Sequence, residues 1–286
     1  MGYCTTSSGS WLLLVQRLDA DVQGLIDVGA NLTHESFRND LGEVLDRARD
    51  CGVRRLIVTG TNLASSEAAV ELASSRPGFL WATAGVHPHS AADYDDATEA
   101  RLRILLRNPR VVAAGECGLD YYRNYAARDL QRTAFSRQLE LAAASGRPLF
   151  LHQRDAHSDF LALLAEQGPA LPAGVAHCFT NGPAEVTDYL NLGLHIGITG
   201  WICDDRRATE LRTAVQSIPL DRIVVETDSP YLLPRSIRPA PRHRRNEPAT
   251  LPEVVRILAL YMEKQPEEVA EATTRNAERL FGLNAE

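Results

Sequence analysis

The chain has 286 residues, 44% of them apolar, and a formal net charge of −7. This length suffices for one substantial core, since a single domain of roughly 250 residues is ordinary. The acidic balance argues against a protein that coats duplex nucleic acid with a broad basic surface. The five cysteines are odd in number and form no C-x-x-C pair, which argues against a disulfide framework and favours a reducing, cytoplasmic setting.

Residues 1–22 are predicted to form a poorly ordered N-terminal extension. Their short apolar stretch at 11–15 follows no Lys or Arg and is far too short to cross a bilayer. A degenerate targeting signal is the alternative interpretation. Residues 23–286 are predicted to form a single domain without a membrane span, because no linker long enough to divide them is present.

From residue 23 onward, strand-like and helix-like segments alternate. Strands are predicted near 24–28, 55–59, 80–86, 111–116, 148–152, 174–178, 195–199 and 223–227. A helix with one buried face is predicted around 251–258, and the final helix from Pro266 to just before Gly282. Eight strand–helix units predict an α/β fold with a parallel sheet, and their number favours a closed TIM (β/α)8 barrel over an open sheet.

Polar side chains stand at the ends of many of these strands, and a parallel barrel brings all such ends to one face. The candidate metal ligands among them are Glu116, His152, His177 and Asp228. Two carboxylates and two imidazoles from four strand ends suit a divalent metal such as Mg, Mn or Zn. A lone histidine there is more often a hydrogen-bonded structural residue, but four such residues together favour a metal site.

Neighbouring residues give weaker signals. Cys117 and Cys178 directly follow two of the candidate ligands, so the alternation of a strand predicts that both point away from the site and pack. The cluster 242–245 is either a solvated loop or a phosphate contact through Arg245. Tyr121, Tyr122 and Trp201 follow strand ends, where they could stack on bases or pack under loops.

Several motifs then identify a family resemblance. The stretches are GVHPH at 85–89, GECGLD at 115–120, HQRDA at 152–156, HCFT at 177–180, ETDSPYL at 226–232 and RNEP at 245–248. In order and without large gaps, they resemble the TatD family of metal-dependent deoxyribonucleases from about residue 24 to the end. The resemblance implies a TIM barrel of the metal-dependent hydrolase type that removes nucleotides from 3′ ends of single-stranded DNA, with RNA as a further substrate.

By matching position, the resemblance makes Glu116, His152, His177 and Asp228 the metal-binding and catalytic residues. Magnesium is the metal favoured, with manganese and zinc as alternatives. We also expect a monomer that does not associate with membranes.

One departure concerns the first strand, where the wider family has D-x-H-x-H. This chain retains Asp27, as a metal ligand or a supporting residue, but has Gly29 and Asn31 in place of the two histidines. We therefore expect one firmly bound ion and a weak second one that relies on oxygen ligands and water.

The remaining predicted roles concern the phosphate and the support of the ligands. His87 and Arg154 are predicted to contact phosphate oxygens, together with Arg245. Glu226 is predicted to orient the ligands from behind, with direct metal binding as the alternative. Asp228 is predicted to take the proton of an attacking water whose pKa the metal lowers.

Two other functions remain open. One is ester hydrolysis of D-aminoacyl-tRNA on the same metal site, and the other is a non-catalytic nucleic-acid-binding barrel. A cyclic-amide hydrolase is disfavoured, because Gly29, Asn31 and Glu116 stand where its H-x-H motif and modified lysine would be expected.

Overall fold

The structure is a computed structural model, and it describes residues 24–239, 241 and 244–283. The predicted extension at 1–22 lies outside the described residues. All eight predicted strands are present and pair in parallel in the order β1 to β8. Their bounds are β1 Leu25–Ala30, β2 Val53–Val58, β3 Leu80–Ala84, β4 Val111–Asp120, β5 Leu149–Arg154, β6 Gly174–Ala176, β7 His195–Ile198 and β8 Ile223–Val225. The predicted α/β barrel is confirmed.

The ring closes between β1 and the segment after β8. The Asp228 amide donates to the Gly29 carbonyl at 2.8 Å, and the Asn31 amide donates to the Ser229 carbonyl at 2.7 Å. Asp228 is therefore held beside the end of β1, although 197 positions separate it from Asn31.

Helices follow most strands and cover the outside of the barrel. They are α1 Leu41–Asp50, α2 Leu63–Ser75, α3 Asp96–Leu105, α4 Arg128–Ser145, α5 His157–Glu166, α6 Pro183–Asn191, α7 Thr209–Ala214, α8 Leu251–Tyr261 and α9 Pro266–Phe281. The last two confirm the predicted C-terminal helices, and Gly282 ends α9 in the left-handed conformation with φ 65°. None of the described helices is long and apolar enough to cross a membrane.

The alternation of each strand divides the core into two layers. Leu25 and Val225 pack outward against helices, whereas Ile26 and Val224, their neighbours in sequence, pack inside the barrel. Phe281, at the end of α9, joins the inner cluster. Since Asn276 of the same helix donates to the Ile223 carbonyl at the start of β8, α9 covers the amino-terminal end of the barrel. The carboxyl end is left for a site.

Candidate active site and metal centre

The four predicted ligands converge at the carboxyl ends of the strands. Glu116 lies in β4 and His152 in β5, while His177 follows β6 and Asp228 follows β8. Glu116 Oε1 lies 3.0 Å from His152 Nδ1 and 3.5 Å from His177 Nε2. Ligand atoms of His177 and Asp228 lie within 4.8 Å of each other. The barrel thus brings two carboxylates and two imidazoles together in its mouth.

His87, predicted to contact phosphate, also lies in this cluster. Its Nε2 atom is 3.4 Å from Glu116 Oε1. Ligand atoms of His87, Glu116 and His152 all lie within 4.8 Å of one another. Three imidazoles therefore surround one carboxylate oxygen, and His87 is placed to bind a metal as well as a phosphate.

The two cysteines that follow candidate ligands behave differently. Cys117 is fully buried in the outer core, which confirms the predicted packing role. The prediction was wrong for Cys178, which lines the cavity and has its thiol within 4.8 Å of ligand atoms of His177 and Asp228. Strand β6 ends at Ala176, and Cys178 adopts a φ of 48°, so the alternation of an extended strand no longer applies to it.

Glu226 supports His177 from inside the barrel. Its fully buried carboxylate lies 2.7 Å from His177 Nδ1 and accepts a 2.5 Å hydrogen bond from the Cys178 amide. The contact at Nδ1 directs the other ring nitrogen toward Glu116. A carboxylate that fixes the ring and tautomer of a ligating histidine is common behind metal sites.

The structure gives a physical reason for the absence of a histidine at position 29 of the first strand. A Cβ atom on Gly29 would lie 2.6 Å from Glu226 Oε2 and 2.9 Å from the Phe150 ring. The Glu226 carboxylate thus fills the space that a side chain at position 29 would need. Asn31 has a different task, because its Nδ2 atom donates to Asp228 Oδ1 at 2.9 Å and orients that carboxylate.

Asp27 is directed to Thr227 rather than to the cluster. It accepts hydrogen bonds from the Thr227 amide at 2.9 Å and from the Thr227 hydroxyl at 2.6 Å, and it is fully buried. It does not line the cavity. These contacts support the second of its two predicted roles, that of a supporting residue joining β1 to the end of β8.

Replacing Asp27 with Asn should change how stability depends on pH. Burial raises the pKa of Asp27 to about 7, although hydrogen bonds from Thr227 oppose the shift. The folded protein therefore holds this proton more tightly than the unfolded chain, where the pKa is about 4. The contribution of protonated Asp27 to the free energy of unfolding is fully present below about pH 4, and it is lost as the pH rises through about 7.

Urea denaturation of both proteins between those pH values measures this effect. The stability of the wild type relative to Asp27→Asn should fall as the pH rises. Asp205→Asn, which removes a carboxylate with a side chain 90% exposed, is the control. A difference for Asp27→Asn that stays constant or grows with pH would contradict the interpretation.

Electrostatics within the cluster differ from residue to residue. Burial opposes ionisation of Glu116, but His87 and His177 outweigh it and hold its pKa well below the usual range. Burial would lower the pKa of His177, but the Glu226 and Glu116 carboxylates raise it to about 10. Burial raises the pKa of Asp228 to about 7. The mouth therefore holds closely spaced carboxylates that attract a proton or a cation.

These residues fit a divalent ion. Nitrogen and oxygen ligands of this kind are those that zinc, manganese and magnesium accept in proteins. His152 Nε2 is buried and has no hydrogen-bond partner, and Asp120 Oδ2 lies 3.6 Å from it. A buried ring nitrogen of this kind is available to a ligand.

A second pair of residues, which the sequence did not indicate, lies beside the cluster. His89 Nε2 lies 2.7 Å from Asp120 Oδ2, and the Asp120 carboxylate also accepts a 2.8 Å hydrogen bond from the Arg123 amide. Both His89 and Asp120 line the cavity. The motifs at 85–89 and 115–120 contain these residues, but the predicted strand ended at 116, whereas β4 continues to Asp120.

A cavity of about 830 Å³ opens above the cluster. Three arginines line it, namely Arg123, Arg154 and Arg207. Arg154 was a predicted phosphate contact, whereas Arg123 and Arg207 were missed. These guanidinium groups line the same cavity as the carboxylates of the cluster, and a guanidinium matches the geometry of a phosphate.

Arg245 is not brought to this cavity. Its guanidinium binds both oxygens of Asp40, at 2.9 and 2.6 Å, and also lies 2.7 Å from Glu247. Its neighbours Arg242 and His243 lie outside the described residues. The geometry therefore gives Arg245 a role in attaching α1 to the loop before α8, and phosphate binding by it stays a prediction.

The three aromatic candidates separate into two groups. Tyr121 packs against the outer core and donates its hydroxyl to Asp159 at 2.6 Å. Tyr122 and Trp201 line the cavity, and each carries a guanidinium over its ring. Arg154 lies 3.9 Å from the Tyr122 centroid, and Arg207 lies 4.0 Å from the Trp201 centroid.

A parallel (β/α)8 barrel with a histidine and carboxylate cluster at the carboxyl ends of its strands defines the class of barrel hydrolases that use divalent metals. Residues 26–282 match the sequence model of the TatD related DNase family. The chain belongs to this family.

Individual relatives agree with this assignment. The chain is 49% identical over 261 residues to the 3′-5′ ssDNA/RNA exonuclease TatD of Erwinia billingiae, a match that covers 91% of this chain and 100% of the relative. It is 48% identical over 259 residues to the protein of the same name from Edwardsiella piscicida, with the same coverage. Among solved structures, YjjV, a TatD homologue from Escherichia coli K12, aligns with a TM-score of 0.83 and 26% identity, over 90% of this chain and 98% of its own. A TatD family hydrolase from Entamoeba histolytica aligns with a TM-score of 0.81 and 26% identity, over 92% and 99%.

Proposed function

We propose that this protein is a metal-dependent 3′-5′ exonuclease that hydrolyses the phosphodiester bonds of single-stranded DNA, with RNA as a further substrate. The observation that carries the proposal is the convergence of Glu116, His152, His177 and Asp228 beneath a cavity lined by arginines. Relatives named 3′-5′ ssDNA/RNA exonuclease, 48–49% identical over 91% of the chain, support it.

In this proposal Glu116, His152, His177 and Asp228 hold a divalent ion, with magnesium favoured over manganese and zinc. When bound, such an ion polarises the phosphoryl oxygen and lowers the pKa of water. His87 is a further ligand or a phosphate contact. The lack of imidazoles at positions 29 and 31 favours an exchangeable ion in oxygen-rich surroundings over tightly retained zinc.

The protein's own side chains supply the remaining steps. Asn31 holds Asp228 Oδ1, and we assign the other oxygen, Oδ2, as the acceptor of the proton from water. Glu226 keeps the His177 ring in place during the reaction. Arg154 pairs with the charge of the phosphate that enters the cavity. Arg207 also lines the cavity, but its Nε atom already pairs with Asp204 Oδ2 at 2.7 Å.

The shape of the site favours a strand end over an internal position. The cavity is a concave mouth with localised arginines, and helix α9 covers the opposite end of the barrel. A 3′ terminus can enter such a mouth, whereas a long duplex tract lacks the basic surface that it would need. We further infer that residues 23–286 act as one monomeric domain in the cytoplasm, where the four described cysteines, all free thiols, would stay reduced.

Removal of the metal should abolish nucleotide release, and added Mg or Mn should restore it. The test is digestion of end-labelled single-stranded DNA, RNA and D-aminoacyl-tRNA by chelator-dialysed protein, with Mg, Mn or Zn restored in turn. Calorimetric titration should show at most one tight site per chain. Two zinc ions that survive dialysis would contradict the metal assignment.

The same experiment separates the other functions. If the protein releases D-amino acids from tRNA faster than it releases nucleotides from DNA, its function is ester hydrolysis and not exonuclease activity. Binding without any metal-dependent product would indicate a non-catalytic barrel. Equal rates on circular and linear single strands would show that the site does not require an end.

A further inference from the structure

Three tyrosines at the mouth of the cavity are exposed to an unusual degree for large rings. The exposed fractions are 57% for Tyr122, 69% for Tyr125 and 52% for Tyr231. Among the described residues, only three other large apolar side chains are exposed, and none of these lines the cavity. Since burying an aromatic ring is strongly favourable, rings gathered around one opening indicate a surface that a ligand covers.

The tyrosines lie on two opposite walls. Tyr122 and Tyr125 follow β4, whereas Tyr231 follows β8. In a ring of eight strands in sequential order, the β4–β5 side faces the β8–β1 side. The cluster lies between these walls, because Glu116 comes from β4 and Asp228 follows β8.

Each wall presents a ring with a polar or cationic neighbour. The Arg154 guanidinium lies 3.9 Å from the Tyr122 centroid, so it covers one face and leaves much of the remaining ring exposed. On the opposite wall, the His34 ring meets Tyr231 edge to face, with centroids 5.7 Å apart. These neighbours limit the motion of the rings without burying them, as a preformed stacking platform requires.

We propose that Tyr122 and Tyr231 are base-stacking subsites that each hold one of the last two unpaired bases of the strand. This inference rests on the proposed function and adds to it the part of the substrate that is bound. Every base has a π face, so stacking binds it without regard to its identity. Bases held on two facing walls cannot be paired and stacked in a duplex, which gives the site a preference for single strands.

Affinity measurements with the magnesium-loaded protein test the proposal. The probe is a 5′-labelled single strand whose last linkages are phosphorothioates, which slow hydrolysis during the measurement. Tyr122→Ala and Tyr231→Ala should each weaken binding about tenfold or more, whereas Tyr122→Phe and Tyr231→Phe should bind like the wild type. On ordinary DNA the alanine variants should raise KM with little change in kcat, because stacking holds the ground state and the transition state alike.

Strands that lack one base provide the decisive comparison. Removal of the base that a tyrosine contacts should weaken binding by the wild type, and the matching alanine substitution should then cost nothing further. The last base and the one before it should pair with different tyrosines. Leu260→Ala, which truncates another exposed side chain outside the cavity, is the control and should bind every strand like the wild type.

The outcomes separate this inference from the function on which it rests. If the wild type neither binds nor digests single strands, the proposed function fails. If it does both, but the alanine variants lose affinity equally for strands with and without the base, the tyrosines act on the fold of the loops and the stacking proposal is overturned. Unchanged affinity in both alanine variants would overturn it as well.

Discussion

Asp228→Asn and Glu116→Gln are each expected to lower nucleotide release by about 10²–10⁴-fold while leaving the barrel folded. Glu116 Oε1 lies within 3.5 Å of nitrogen atoms of three histidines, so neutralising it removes the charge at the centre of the cluster. Asp228 is our proposed proton acceptor, and an amide cannot take that role. Initial rates with end-labelled single-stranded DNA measure the effect, and thermal unfolding reports the fold.

A matched control is available at the same end of the barrel. Asp159 accepts a hydrogen bond from Tyr121 and pairs with Arg132, but it does not line the cavity. Asp159→Asn should therefore retain nearly full activity. If both cluster variants turned over DNA at near-normal rates, the assignment of these strand ends to catalysis would be wrong. A calorimetric loss of metal binding in Glu116→Gln would show directly that the carboxylate acts through the ion.

The architecture was predictable because each strand carries a local signal. Short apolar runs predict the strands, and the segments between them have the residue spacing of helices. Eight strand–helix units without a dividing linker favour a closed barrel. Pro266 and Gly282 mark the ends of the last helix for reasons of backbone geometry alone. Strand ends then converge by topology, which is why residues as distant as Glu116 and Asp228 could be grouped before any contact was known.

Details at the strand ends depend on backbone conformation that the sequence does not display. Cys178 was expected to alternate with His177, but its positive φ directs it into the cavity. Asp120 was missed because the predicted strand ended at 116, whereas β4 continues past Gly118, and a glycine weakens the interior of a strand. The local sequence pattern predicts neither the positive φ of Cys178 nor the extension of β4.

Partners from distant segments were equally hidden. A run of basic residues does not reveal that Arg245 will meet Asp40, 205 positions earlier, and Glu247. Nor does Gly29 reveal that the Glu226 carboxylate fills the space beside it. Such pairs follow from the packed structure, in which each buried charge requires a partner.

Gly118→Ala is expected to destabilise the protein by at least about 3 kcal/mol and to disturb the site. Gly118 has a φ of 145°, a conformation that side chains other than glycine rarely adopt. A Cβ atom there would also overlap the carbonyl oxygen of His152 in β5 and would lie only 2.8 Å from its carbonyl carbon. Because the obstacle is backbone and not the tip of a flexible side chain, β4 and β5 would have to move apart.

Gly146→Ala separates the two causes. Gly146 ends α4 with a φ of 67°, but a Cβ atom at that position meets nothing within 4 Å. Its replacement should cost only the backbone strain, about 1–2 kcal/mol. Urea denaturation of both variants gives the difference in the free energy of unfolding, and calorimetric titration with Mg or Mn reports whether His152 still reaches the cluster. If Gly118→Ala matched Gly146→Ala in both stability and metal affinity, the prediction would be wrong. Strands β4 and β5 would then tolerate a side chain between them, and their close approach would not be what positions His152.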